Sequence, residues 1–104
     1  MATNSKDAVA FLERLVGPLT LGKYINSIRL GEEETLEAFS KKLGISKAHL
    51  CDVEKDRRVV SIERAARWAK LLGYPVDQFV QLAVQAEVNA AGLKMRISVE
   101  AAQP

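Results

Sequence analysis

The feature that most constrains this chain is a two-residue break, Gly44-Ile45, between two stretches of helical apolar spacing. The first, 35–43, opens on the hydroxyl of Thr35 and carries Leu36, Phe39 and Leu43 at steps of three and four. The second, 46–56, opens on Ser46 and carries Leu50 and Val53. So short a link forces the two helices to cross steeply at close range, and small residues are needed where they touch. Ser40 stands four residues before Gly44, while Ile45, Leu50 and Val53 follow at the spacing that wedges the second helix onto the first. Gly44 follows the last apolar position of its helix, where a turn demands a positive φ.

The rest of the chain reads helical as well. Val9, Phe11, Leu12, Leu15 and Val16 form a first periodic set, capped by Ser5 and ended by Gly17-Pro18. Leu21, Tyr24, Ile25 and Ile28 mark a helix from Thr20 to Arg29 that stops near Leu30-Gly31. Ser61 caps a helix whose apolar stripe is Ile62, Ala65, Ala66, Ala69 and Leu72, ended by Gly73, and Val76, Phe79, Val80, Ala83 and Ala86 make a last helix beyond Pro75. The period then changes to two: Leu93, Met95, Ile97 and Val99 alternate with Lys94, Arg96, Ser98 and Glu100, the pattern of one amphipathic strand. A lone strand must pair with something. Three fates are open to it: antiparallel pairing with a second copy, addition to a partner's sheet edge, or a disordered tail. At 104 residues the chain is one domain, divided as an N-terminal helix (1–19), a helical body (20–90) and a C-terminal strand and tail (91–104).

Composition excludes more than it identifies. With 48% hydrophobic and 27% charged residues, no disordered chain is indicated, and no apolar run approaches a membrane span or signal peptide. The one cysteine, Cys51, cannot form an internal disulfide and fits a reducing cytoplasm. His49 and Cys51, two apart on a helix, point to different sides, so no metal site is assigned. With no phosphate loop, nucleophile elbow or paired carboxylates, no catalytic residue and no cofactor are assigned either. Trp68 and Tyr74 read as packing residues of a helical core. Charge is uneven: residues 41–70 hold nine basic side chains against four acidic ones, a balance suited to a polyanion, whereas the net charge of the whole chain is only +2.

With Leu50 and Val53 inward, a rotation of 100° per residue puts Lys47, Ala48, Cys51, Asp52 and Lys55 on the outward face. The stretch LEAFSKKLGISKAHLCDVEK, with the helices around it and the WAKLLG that follows, resembles the phage-repressor type of helix-turn-helix family, also called the xenobiotic-response-element family, over about residues 20–85. The resemblance implies an all-α fold: a five-helix helix-turn-helix domain with an extra N-terminal helix and the short C-terminal β-strand. It implies that Lys47, Ala48 and Asp52 read base edges in a major groove, Lys47 donating to guanine, Ala48 touching a thymine methyl and Asp52 accepting from cytosine N4. Ser46 would contact phosphate, Arg57 and Arg58 the backbone or minor groove, and Lys41, Lys42, Cys51 and Lys55 would complete the DNA-facing set.

Three features oppose DNA affinity: Leu36 where many relatives carry a phosphate-gripping glutamine, the charge of Asp52, and the acidic run Glu32-Glu33-Glu34. The run also suits the dipole of the helix it precedes. Glu54 reads as an ion-pair partner inside the fold. The resemblance implies a cytoplasmic, sequence-specific transcriptional regulator, a repressor, binding a two-fold double-stranded DNA operator as a homodimer joined through Leu93, Met95, Ile97 and Val99. A DNA-binding antitoxin with a toxin protein partner is the main variant. The alternative from another class is a protein-interaction module that keeps the scaffold and leaves the DNA face unused.

Overall fold

The computed structural model describes residues 18–102, as helices α1 (Leu21–Gly31), α2 (Leu36–Leu43), α3 (Lys47–Glu54), α4 (Ile62–Leu72) and α5 (Val76–Ala90). The helix expected ahead of Gly17-Pro18 lies outside the described residues. The first four helices start as hydroxyl caps predict: Thr20, Thr35, Ser46 and Ser61 each accept from the backbone N–H three residues on, at 3.0–3.2 Å. At the break, Gly44 adopts φ 74°, and Ile45 N donates to Ser40 O at 3.0 Å, which closes α2 and turns the chain into α3.

The core forms where these helices cross. Ile25 of α1, Phe39 of α2, Leu50 of α3, Ala69 of α4 and Phe79 of α5 are fully buried, and Val53 and Trp68 nearly so. Burial of side chains of this size is worth about 1.5–3 kcal/mol each. Trp68 also donates its indole N–H to Leu43 O at 3.2 Å, tying α4 to the carbonyl end of α2 beside the turn. Tyr24, Tyr74 and Phe79 meet edge-on or tilted, with ring centroids 5.4–6.2 Å apart, and join α1 to the start of α5. Trp68 and Tyr74 are thus packing residues. Ile62, expected on the apolar stripe of α4, is 39% exposed, and the unforeseen Val60 in the preceding loop is buried.

Two devices set α3 against α1. Gly22 is buried with its Cα so close to the last turn of α3 that a Cβ there would run into Val53 O and lie 2.6 Å from Asp56 Oδ1. About two helical turns further along α1, Arg29 grips Glu54 with Nε on Oε2 at 2.7 Å and Nη2 on Oε1 at 3.0 Å. Asn26 Nδ2 donates to the same carboxylate at 2.8 Å, and Arg29 Nη1 reaches Glu34 O at 2.9 Å. Both side chains of the pair are nearly buried, and hydrogen bonding to Glu54 raises the Arg29 pKa further. Glu54 is therefore an internal partner, as expected.

The C-terminal strand is a correction. Among the described residues the fold is all-α with no strand, and residues 93–100 belong to no regular element. Their backbone is met instead by side chains of α5: Gln85 donates to Met95 O at 2.7 Å and accepts from Ile97 N at 2.8 Å, while Gln81 accepts from Val99 N at 3.4 Å. A glutamine amide offers the same donor and acceptor as a peptide group, so one helix edge stands in for a neighbouring strand. Ile97 and Val99 become half-buried, whereas Leu93 and Met95 stay about half exposed.

Candidate nucleic-acid interface

Helix α3 is held from behind. Leu50 and Val53 enter the core, Glu54 is locked to α1, and α3 packs on both α1 and α2. The opposite face is open: Lys47 and Ala48 in the first turn are exposed, Cys51 and Asp52 one turn on are half-exposed, and Lys55 at the end is exposed. The outward set expected from helical rotation is thus on one face. Ser46 is exposed, and its oxygen is occupied by the cap bond to His49 N, which leaves the hydroxyl proton for an acceptor outside the protein.

The flanking cations fall into two groups. Lys41 lies 3.8 Å from Glu37, and Lys42 lies 2.9 Å from Glu34 and 3.8 Å from Glu32. The bond to Glu34 holds the Lys42 ammonium above its ordinary pKa. Arg57 is folded back onto α3: its backbone N donates to Asp52 O at 2.8 Å, and Nε and Nη2 both lie 2.9 Å from Asp52 Oδ1. Among the described residues no ion pair engages Lys47, Lys55 or Arg58. Of the ten residues expected to face DNA, then, three are partnered by acids on the same surface and three cations stand unpaired. Sequence reading placed the acidic run ahead of α2 and missed that its carboxylates close on Lys42.

It also missed Arg64. From the first turn of α4, Arg64 places Nη1 3.5 Å from His49 Nε2 and its guanidinium carbon 5.8 Å over the Trp68 ring. Burial, reinforced by the Arg58 and Arg64 cations, pushes the His49 pKa below its usual value, so the imidazole is neutral at pH 7. Arg64 therefore extends the positive surface beyond α3. Sequence counted it among the nine basic residues of 41–70 and placed it three residues after the Ser61 cap, and neither says anything of a residue fifteen positions away. Cys51 lies 3.8 Å from Arg57 Nη2, and among the described residues no group of three or more His, Cys, Asp or Glu side chains is placed to hold a metal ion.

Residues 35–79 match the family model described as helix-turn-helix. The match runs from the Thr35 cap through α2, α3 and α4 to Phe79 in α5, so it contains the turn at Gly44, the plug of Leu50 and Val53, and the whole outward face of α3. No curated protein and no solved structure matches the chain.

Proposed function

We propose that this chain, whose residues 35–79 match the helix-turn-helix family model, is a DNA-binding regulator of the phage-repressor type that represses transcription by binding a two-fold operator as a homodimer. The observation that carries this reading is the orientation of α3. Its apolar and ion-paired side is anchored in the fold, while Lys47 and Ala48 stand exposed at its N-terminal end, where a recognition helix meets base edges. Lys55, Arg58 and Arg64, none of them paired with an acid among the described residues, supply the phosphate attraction.

The dimer follows from size. One short helix in one groove makes too few base contacts for operator-level discrimination, and two-fold pairing doubles them. Leu93 and Met95, about half exposed on the C-terminal segment, supply apolar surface for the contact. Occupied half-sites about one helical turn apart would block polymerase access to an overlapping promoter.

The test is selection from a pool of duplexes with a randomised core, followed by a salt series on the selected and on random duplex. We expect an inverted repeat with half-sites about 10 base pairs apart. Three such cations on this face of each protomer give a random-duplex log–log salt slope of about −3 per protomer, twice that for a dimer. Failure to enrich any sequence, with no salt-dependent binding to random duplex, would contradict the reading and favour a protein-interaction role for the same face.

A further inference from the structure

Among the described residues, the pair formed by Asp52 and Arg57 is the one place on the outward face of α3 where a carboxylate and a guanidinium are fixed on each other. Asp52 sits on the turn after Ala48. Asp56 takes a left-handed conformation, φ 59°, which turns the chain so that Arg57 returns onto the helix it has just left. Its backbone N–H then bonds Asp52 O, and its side chain bonds Asp52 Oδ1 through Nε and Nη2. Both side chains remain about half exposed, so the pair is displayed on the surface.

The atoms that are used determine what is left over. Nε and Nη2 form the side edge of the guanidinium, and that edge is spent on Asp52. The end edge, built by Nη1 and the outer hydrogen of Nη2, carries one weak contact, Nη2 to Cys51 Sγ at 3.8 Å. Both contacts to Asp52 fall on Oδ1, so Oδ2 keeps its acceptor capacity. The pair therefore presents two parallel donors beside one acceptor. In the major groove a G·C pair presents the complement: acceptors N7 and O6 on guanine and the N4 donor on cytosine. No other base pair shows that pattern.

Charge argues for a base over a phosphate as well. Arg57 and Asp52 are together neutral, so they add nothing to phosphate attraction, and a carboxylate set against a phosphate is repelled by it. A neutral base edge carries no such penalty.

We infer that Asp52 and Arg57 act as one recognition unit for a single G·C base pair, Arg57 donating to guanine and Asp52 both orienting Arg57 and accepting from cytosine. This rests on the DNA-binding reading of α3 and deepens it. Asp52 ceases to be a liability on the DNA face, and Arg57 ceases to be a backbone contact.

The experiment uses the full chain and the duplex selected by the wild-type protein, with every base pair of one half-site replaced in turn. The wild type should discriminate at one G·C pair against the three alternatives by roughly 5- to 150-fold. Asp52→Ala and Arg57→Lys should each remove most of that discrimination and leave the other positions as they were. Arg57→Lys, which keeps the charge and loses the planar fork, should leave the salt slope on random duplex unchanged. The inference is overturned if Asp52→Ala instead tightens binding to every duplex with a steeper salt slope, since Asp52 would then only mask a phosphate-binding arginine. It is equally overturned if neither variant changes discrimination at any G·C pair. A wild-type protein that selects no duplex brings down the underlying DNA-binding reading along with it.

Discussion

Substituting Gly22 by alanine separates local propensity from tertiary fit, because the two act in opposite directions. Gly22 is the second residue of α1, and replacing a helical glycine by alanine stabilises by at most about 0.5–1 kcal/mol in the absence of other contacts. Here the new Cβ would run into Val53 O, with Val53 C at 3.2 Å and Asp56 Oδ1 at 2.6 Å. The Asp56 carboxylate can swing aside. The Val53 carbonyl cannot, since it belongs to the backbone of the last turn of α3, so the two helices must separate. Overpacking of this kind costs about 1–3 kcal/mol and at times more. The net expectation is destabilisation by about 1–2 kcal/mol, or a Tm lower by roughly 4–8 °C for each kcal/mol. Gly31 is the control: nothing lies within 4 Å of its added Cβ and its φ is not positive, so Gly31→Ala should be neutral or slightly stabilising. Urea unfolding followed by circular dichroism, with m-values compared, measures both variants. A Gly22→Ala protein as stable as the wild type, or more so, would refute the close approach of α1 and α3.

The other expectations can be put to the same unfolding assay. Glu54→Ala should cost about 3–5 kcal/mol, because it leaves the nearly buried Arg29 unpaired and strips Asn26 of its acceptor; an exposed-pair loss below about 1 kcal/mol would contradict the network. Gly44→Val should cost more than about 1 kcal/mol at φ 74°, and an unchanged melt would show that the turn does not need its left-handed residue. His49 has a folded pKa below its ordinary 6.5, so the unfolded chain takes up the proton first as pH falls. Its neutral form is therefore fully accommodated above about pH 6.5, and stability is lost as pH drops from there through the folded value. His49→Gln should flatten that part of the Tm-against-pH curve, and an identical curve would contradict the burial of the imidazole beside Arg64. Met95→Glu should weaken self-association in sedimentation, and an unaltered dimer would remove the C-terminal segment from the contact.

What sequence made legible was mostly local. The caps at Thr35, Ser46 and Ser61, the left-handed Gly44 and the inward pair Leu50 and Val53 each depend on neighbours within about one turn, and each is where periodicity and cap chemistry put it. Glu54 could be recognised as an internal partner from its place beside Val53, but not the identity of Arg29, which lies in another helix. Gly22 gave no signal at all, since a glycine inside a helical pattern becomes meaningful only when the facing backbone is known. The alternation from Leu93 to Val99 pointed to a strand, and the structure has none there. Glutamines on an exposed helix edge look like ordinary surface residues, yet Gln85 and Gln81 bond the C-terminal segment. On the candidate interface, residue types and the face of α3 were readable, whereas pairing was not. Asp52 and Arg57 meet because Asp56 turns the chain back, and Lys42 meets Glu34 across the loop before α2.

Whether the exposed face of α3 reads DNA is decided by Lys47→Ala on the duplex selected by the wild-type protein. Lys47 is exposed in the first turn of α3 and is engaged by no ion pair among the described residues, so its removal should leave the fold intact. Lys47→Ala should lose about 1–3 kcal/mol on the selected duplex, with relaxed preference at one base pair and a far smaller change on random duplex. Binding to selected and random duplexes that are both unchanged in Lys47→Ala would contradict a DNA-reading role for this face.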